Sequence, residues 1–363
     1  IYIRRYIARK GERHLGKCRT AGSLYLLCRF EETGMNIKGR NFLTLMDFTP
    51  EEIRYMLDTA HDLKRKKNEG IFERHLEGKN IALIFEKTST RTRCSFEVVC
   101  QEEGANVTFI DPSSSHFGKK ESVEDSAKVL GRFFDGIEYR GFGQEIVEAL
   151  AEYSGAVVWN GLTDQDHPTQ ILADMMTMEE YIKKPLGKCK VVFCGDIRNN
   201  MSYAWMYGCA KMGMEYVAYG PDELGKDIDR SILEKVKKEA EKSGAKITVT
   251  GDINAVKGAD VIYTDVWASM GEEATIPERV KLLSPYKVTM EMLDATENED
   301  VIFMHCLPSF HDFETGFAKE QMALGYDIRE VSDEVFRSRH SKVFDEAENR
   351  MHSIKAVVVT TMK

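Results

Sequence analysis

Several short segments carry residue types that could act on a small anionic substrate. The first is Ser89-Thr90-Arg91-Thr92-Arg93. It follows the apolar run Ile81-Ala82-Leu83-Ile84-Phe85 and opens a predicted helix through Phe96 and Val99. Hydroxyls, guanidinium groups and the free amides of a helix N-terminus would meet there, which is the donor set a phosphate needs. An ordinary Ser/Thr-capped helix with solvated arginines fits this segment equally well. No G-x-x-x-x-G-K-S/T loop occurs, which counts against a P-loop nucleotide site.

Five further segments also sit just after predicted strands. His167-Pro168-Thr169-Gln170 places a histidine at the mouth of a helix that Pro168 can start, where His and Gln could donate to a carbonyl oxygen. Arg140, in Tyr139-Arg140-Gly141, ends a strand, a place where arginines are usually just solvated. Gly195-Asp196-Ile197-Arg198-Asn199-Asn200 resembles a dinucleotide loop but lacks G-x-G-x-x-G, so no nicotinamide cofactor is read from it. Its asparagines could cap a helix or grip a carboxylate or amine. Asp265, in Asp265-Val266-Trp267-Ala268-Ser269-Met270-Gly271, can pair with an ammonium group. His305-Cys306-Leu307-Pro308 offers a thiol next to an imidazole. Adjacent residues on extended chain point to opposite sides, so the two would not pair directly.

The elements that must hold these segments alternate between strand and helix. Thr49-Pro50-Glu51-Glu52 reads as a capping box with Pro in the first helical position, followed by Ile53, Met56, Leu57, Ala60 and Leu63 at helical spacing. Strands are predicted at 81–85, 107–110, 136–139 and 156–159, then at 190–194, 215–218, 247–249, 261–263 and 301–304. Ser122 to Phe133 and the charged stretch Asp229 to Lys242 read as helices, the latter solvated. A last helix is predicted from about Lys342 to Thr361. The fold class is therefore α/β, with two doubly wound parallel-sheet domains. Pro185-Leu186-Gly187 marks the break between them. Ligands of open α/β sheets bind at the carboxyl ends of the strands, where all six segments lie.

The bulk properties suit this reading. The chain has 363 residues, enough for about two domains, with 42% hydrophobic and 30% charged residues. Its net charge of -9 argues against non-specific nucleic-acid binding. The eight cysteines include no C-x-x-C, and several lie in apolar runs, as expected of buried thiols in a reducing compartment. No apolar stretch is long enough to span a membrane. Residues 1–34 are unusually basic, with Arg4, Arg5, Arg9, Lys10, Arg13, Lys17, Arg19 and Arg29. They read as a translated leader or expression scar before Met35 and as dispensable for the fold, although a transit peptide has a similar composition.

Taken singly, each segment has an ordinary structural explanation. Together, Ser-Thr-Arg-Thr-Arg at 89–93, His-Pro-Thr-Gln at 167–170, Asp-x-x-x-Ser-Met-Gly at 265–271 and His-Cys-Leu-Pro at 305–308 resemble the ornithine carbamoyltransferase family in order and spacing. The resemblance runs from about Asn41 to Val359. The first two motifs are shared with aspartate carbamoyltransferases; Ser269-Met270-Gly271 and Cys306 favour ornithine.

The resemblance implies transfer of the carbamoyl group of carbamoyl phosphate to the δ-amine of ornithine, giving citrulline and phosphate, with no metal or organic cofactor. It implies that Ser89, Thr90, Arg91 and Thr92 hold the phosphate, and that Arg140, His167 and Gln170 hold the carbamoyl end. Cys306 and Leu307 would lie beside the reacting carbon, with Arg350 near the carbamoyl group. Asn200, Asp265, Ser269 and Met270 would hold the α-amino and α-carboxylate groups of ornithine. Arg140, His167 and Cys306 form the implied catalytic set. A loop matching Ser113 to Gly118 reaches the phosphate from a neighbouring subunit in this family, which places His116 there; bacterial members often carry glutamine at that position. The implied assembly is a homotrimer or a group of trimers, in the cytoplasm, with no nucleic-acid or membrane partner. The expected domains are 35–184 for carbamoyl phosphate and 185–341 for ornithine, with a C-terminal helix at 342–363 returning to the first. A carbamoyltransferase acting on another amine such as putrescine, and a non-catalytic anion-binding α/β protein, are the competing readings.

Overall fold

Runs of branched and aromatic residues make strands buried on both faces, and both sheets of the protein are built from them. The computed structural model describes residues 36–111, 117, 120–268 and 271–363. The basic segment 1–34, Met35, His116, Ser269 and Met270 lie outside the described residues.

The first sheet holds β1 (Asn80–Phe85), β2 (Asn106–Ile110), β3 (Gly136–Arg140) and β4 (Val157–Leu162), in the order β2-β1-β3-β4. All its pairings are parallel. The second holds β5 (Lys190–Cys194), β6 (Glu215–Tyr219), β7 (Lys246–Thr250), β8 (Val261–Thr264) and β9 (Ile302–Met304), in the order β7-β6-β5-β8-β9, again all parallel. Both sheets reverse their winding, the first between β1 and β3, the second between β5 and β8. A crevice opens at such a point because successive connections leave to opposite sides. The α/β class and double winding expected from the sequence are therefore what the chain adopts.

The helices begin where the sequence supplies caps. Helix α1 (Pro50–Asn68) starts with the full box: Thr49 N donates to Glu52 Oε2 (2.9 Å) and Glu52 N to Thr49 Oγ1 (3.2 Å). Such a cap contributes about 1 kcal/mol. Helix α2 (Thr90–Glu103) starts at Ser89, and its end at Gly104 takes φ 87°, a left-handed stop that suits glycine. Then come α3 (Val123–Phe133), α4 (Gln144–Tyr153), α5 (Pro168–Tyr181) and α6 (Asn200–Met212). The looser box at Ser122 is half formed: Asp125 N donates to Ser122 Oγ (3.1 Å), while the Asp125 carboxylate takes the hydroxyl proton instead of a backbone amide. Helix Arg230–Ser243 buries Ile232 and Val236 and leaves its charged side to solvent, as its pattern predicts.

Strand β4 runs farther than the predicted 156–159. The polar Asn160 disguised it, yet Asn160 is fully buried with Nδ2 donating to Leu43 O (2.9 Å). The register between β3 and β4 shifts at Tyr139/Arg140, opposite Gly161. A Cβ on Gly161 would come within 1.9 Å of Glu138 Oε1, so a side chain there would force the buried Glu138 to move.

The C-terminal helix (Val343–Thr361) packs against α5, α1 and α2, as expected of a helix returning to the first sheet. It is buried along most of its length, so its polar side chains need partners. Lys355 Nζ pairs with Glu102 (2.8 Å) and Glu103 (2.9 Å), Ser353 Oγ donates to Thr169 O (3.0 Å), and Thr361 Oγ1 accepts from Trp159 Nε1 (2.8 Å). Among the described residues no helix is long and apolar enough to cross a membrane.

Candidate active site

A cavity of about 1010 Å³ lies at the carboxyl ends of the strands of both sheets. Its wall includes Ser89, Thr90, Arg91, Thr92, Arg140, His167, Asn200, Asp265, Cys306, Leu307 and Arg350. The chain contributes them from the loops after β1, β3, β4, β5, β8 and β9 and from the C-terminal helix. The sequence segments singled out above thus converge on one space.

On the side of the first sheet, Ser89 caps α2 by accepting the Thr92 N–H (3.2 Å). The preceding amides of the first turn have no intrahelical acceptor by geometry. Arg91 has no carboxylate partner among the described residues, and its charge is felt at His167, Arg140 and Arg350. Arg93 differs: its Nε donates to Glu97 (2.8 Å) and its guanidinium lies 3.6 Å above the Phe109 ring. Arg93 is a structural member of the motif.

Behind this turn lies a polar network buried from water. Arg350 Nη1 donates to His167 Nε2 (2.9 Å) and to Gln170 Oε1, and Nη2 donates to Thr92 Oγ1 (3.0 Å). A guanidinium cannot accept, so Nε2 must be the lone-pair nitrogen of a neutral imidazole. The ring proton is therefore on Nδ1, which is buried and has no partner. Burial and the charges of Arg350, Arg140 and Arg91 hold the His167 pKa well below its usual value, in agreement with that tautomer. His167 is the N-cap residue of α5 but its side chain does not cap, so the capping reading fails. Burial and the facing Arg350 lower the Arg140 pKa to about 10, and Arg140 Nε has no partner. Burial lowers Arg350 to about 10 as well.

Gln170 sits one layer behind the cavity wall. Its Nε2 donates to Asp174 Oδ1 (2.7 Å) and Glu346 Oε1 (2.9 Å). Glu346 also accepts from Tyr263 OH (3.2 Å) and His305 N (2.8 Å). Burial and the Glu346 charge push the Asp174 carboxyl well above the usual range.

On the side of the second sheet, Asp265 is already partnered. Its Oδ2 accepts from Asn199 Nδ2 (3.0 Å), and its Oδ1 from Val266 N (2.8 Å) and the Cys306 thiol (3.3 Å). Asn199 is the N-cap of α6, accepting from Met201 N (2.7 Å). Asn200 Nδ2 donates to Thr163 O (2.8 Å), tying α6 to the turn that precedes His167. Burial and the Asp265 charge keep Cys306 a thiol, its pKa far above the usual value. His305 Nδ1 accepts from Leu307 N (2.9 Å), so Nε2 carries the proton that faces Glu330 (3.1 Å). The imidazole is thus committed away from Cys306, as the alternation along extended chain predicts. It is also unavailable as a third ligand beside Asp265 and Cys306, although the three lie within 4.8 Å. Leu307 takes φ 55° and precedes a cis peptide to Pro308.

The sequence reading missed Glu346, Asp174 and Glu138, and it missed Asn199 as the partner of Asp265. It also missed Arg279, which lines the cavity and forms an ion pair with Asp196 in the loop after β5. A charged residue inside an otherwise buried strand or helix face was the available signal for Glu138 and Glu346.

Known proteins resemble this chain along most of its length. Residues 40–180 match the family model for the aspartate/ornithine carbamoyltransferase carbamoyl-P binding domain, and residues 187–361 match the model for the Asp/Orn binding domain. A catabolic ornithine carbamoyltransferase of Clostridium perfringens is 63% identical over 330 residues, 90% of this chain and 98% of that protein. One from Limosilactobacillus reuteri is 57% identical over the same shares. The solved ornithine carbamoyltransferase of Pyrococcus furiosus superposes with a TM-score of 0.80 at 39% identity, covering 90% of this chain and 98% of its own. By these matches the chain belongs to the aspartate/ornithine carbamoyltransferase family, and within it to the ornithine carbamoyltransferases.

Proposed function

We propose that the protein transfers the carbamoyl group of carbamoyl phosphate to the δ-amine of L-ornithine, releasing L-citrulline and phosphate. The observation that carries the site assignment is the buried, unpaired Nδ1–H of His167 and the unpaired Arg140 Nε, on two residues that line one cavity with the first turn of α2. Those donors suit a carbonyl oxygen flanked by a phosphate.

In this reading the first turn of α2, with Ser89, Thr90, Arg91 and Thr92, holds the phosphate. His167 and Arg140 donate to the carbamoyl oxygen, and Arg350 and Gln170 fix the imidazole tautomer from behind. Asp265 takes the α-ammonium of ornithine, with Asn200 nearby. The family resemblance assigns Ser269 and Met270 to the same substrate and His116 of a neighbouring subunit to the phosphate. The δ-amine attacks as the neutral form. With a lysine-like pKa near ~10.4, neutralising it at pH 7 costs about 4–5 kcal/mol, and the nearby guanidinium charges reduce that cost. As the C–N bond forms, negative charge grows on the carbonyl oxygen, where preorganised donors have their largest effect. The C–O bond to phosphate then breaks, Arg91 takes up the charge on the leaving group, and the amine proton departs with phosphate. Cys306 positions substrate as a neutral thiol and forms no bond to carbon.

We also assign residues 35–184 to the carbamoyl phosphate domain, 185–341 to the ornithine domain and 342–363 to the returning helix. A homotrimer with sites completed across subunits, working in the cytoplasm, is part of this proposal. The cysteines among the described residues are unpaired and largely buried, which suits a reducing compartment. A panel of amines with carbamoyl phosphate tests the reading. Citrulline and phosphate should form in equal amounts with ornithine, and absence of both would remove the activity.

A further inference from the structure

The turn that follows β9 is pinned at both ends by one buried carboxyl group. Glu330 is fully buried, and neither it nor His305 forms part of the cavity wall. Its Oε1 accepts from three donors. They are His305 Nε2 (3.1 Å) at the start of the turn, and Ser309 Oγ (2.7 Å) and Phe310 N (2.7 Å) at its end. Its Oε2 has no partner among the described residues. Cys306 and Leu307 lie between the pinned ends, and both line the cavity. The backbone of Glu330 is anchored in turn, its carbonyl accepting from Val288 N (2.9 Å).

The turn needs that hold. Leu307 takes φ 55°, in the left-handed region that residues with a Cβ avoid. Its N–H donates to His305 Nδ1 (2.9 Å). That bond exists only while Nδ1 keeps its lone pair, so the ring carries its single proton on Nε2. Glu330 is the acceptor that keeps the proton there. From the C-terminal helix, Glu346 Oε2 accepts His305 N (2.8 Å) and fixes the backbone where the turn begins.

The charges around the ring compete with the turn. Burial opposes a second proton on this imidazole. Glu330 favours one, as do Asp265 from the loop after β8 and Glu346, and the balance lies above the ordinary value. Lys287, paired with Asp327 (3.2 Å), adds a cation that feels the Glu330 charge. The open position for a second proton is Nδ1, where the Leu307 N–H already points. Protonation of the ring and the Leu307 hydrogen bond therefore exclude each other.

We propose that Glu330 is a positioning residue for carbamoyl transfer, locking through His305 the turn that sets Cys306 and Leu307 against the reacting carbon. This rests on the reading that those two residues border the reaction. Glu330 holds the imidazole in one tautomer, the imidazole holds the Leu307 N–H, and Leu307 stays in a backbone conformation it would otherwise leave. A small displacement of groups around a reacting carbon removes a large part of the rate.

The test is steady-state kinetics of the whole protein with carbamoyl phosphate and ornithine across pH, for the wild type, Glu330→Ala and Glu330→Gln. Glutamine keeps an oxygen for the three donors, and its NH2 takes the place of the unpartnered Oε2. At about pH 9, above the imidazole range, Glu330→Ala should lower kcat roughly 10- to 100-fold. The KM for carbamoyl phosphate should stay within about threefold, since the phosphate is held at α2. Glu330→Gln should regain most of the loss. On the acid side the wild type should lose kcat as His305 takes its second proton. Glu330→Gln lacks the carboxylate that favours that proton, so its acid limb should lie at lower pH. A residue that served folding alone would lower the melting temperature and leave the limb in place. An acid limb at the same pH in the wild type and Glu330→Gln, or an unchanged kcat per folded protomer in Glu330→Ala, would overturn the proposal. If Glu330→Ala does not fold, the limb of the isosteric glutamine variant decides alone. A wild type that forms no citrulline would overturn the underlying reading of function instead.

Discussion

The two sides of the cavity prepare for their ligands in opposite ways. Around the first sheet, buried donors stand without acceptors: His167 Nδ1 and Arg140 Nε, with Arg91 free of any carboxylate among the described residues. Around the second, Asp265 is occupied by Asn199, Val266 and Cys306, and Asn200 by Thr163. The first side is charged and awaits an anion. The second holds its carboxylate in hydrogen bonds from neutral groups and, in the proposed reading, exchanges those partners when a zwitterion arrives. An unpaired buried donor costs about 1–3 kcal/mol, which an arriving acceptor recovers in full. Exchange of one partner for another recovers little. The donor substrate should therefore bind strongly alone, and the acceptor only weakly without it.

The largest effect expected from this contrast is on acceptor choice. Putrescine keeps both amines of ornithine, one at the position of the α-ammonium, and lacks only the α-carboxylate. It would leave the donors meant for that carboxylate unfilled, so kcat/KM should favour ornithine by a factor on the order of 10⁴. Near-equal values would show that the second side does not recognise the α-carbon groups. Next in size is Arg140→Ala. Removing one donor to the developing oxyanion should lower kcat by roughly 10²–10³ with ornithine KM nearly unchanged. A loss confined to ornithine KM would place Arg140 on the wrong side of the comparison.

Arg91→Ala should act on donor affinity, with a further loss in kcat because the same guanidinium takes up charge on the leaving phosphate. A charge-assisted contact contributes about 1.5–3 kcal/mol, so carbamoyl phosphate should bind roughly 10- to 100-fold more weakly by calorimetry. Unaltered affinity would take the phosphate away from α2. Cys306→Ser should cost less than about tenfold, the scale of one neutral hydrogen bond. Mass spectrometry during turnover should find no carbamoylated thiol, and finding one would replace the direct-attack mechanism. The smallest effect is none at all. The His167 pKa lies well below the ordinary value, so the imidazole stays neutral as pH falls through ~6.5. The pH profile of kcat should carry no limb that moves or vanishes in His167→Gln; a limb that does so would mean that the ring is charged.

Much of this arrangement was legible from local sequence, and the rest was not for a physical reason. Apolar runs such as 81–85 and caps such as Thr49 and Ser89 act over four or five residues, so their patterns survive in the chain. Pro168 marked the helix that His167 opens, because proline is suited to its first position. The partners that define the chemistry lie far apart in sequence. Arg350 reaches His167 across 183 positions, and Glu346 reaches Tyr263 across 83. No periodicity records such a meeting. Asn160 and Gly161 hid the end of β4 for a related reason, since a bulge and a distant backbone carbonyl make them tolerable there. The family resemblance supplied Arg350, but it could not supply Glu138 or the pairing of Asn199 with Asp265.

The returning helix has a consequence for how the protein comes into being. Ribosomes deliver the chain in order, and the strands and helices up to Tyr181 leave the exit tunnel long before Val343 does. The nascent first half can gather its sheet, yet the faces of α1, α2 and α5 that the last helix covers remain bare until synthesis is nearly over. Through that interval His167 and Thr92 lack the guanidinium that orients them. Binding competence for the labile donor thus arrives with the final turns of chain. A message truncated anywhere before Arg350 would yield a protein without the guanidinium that orders the first side of its cavity, with exposed apolar helix faces to mark it for disposal.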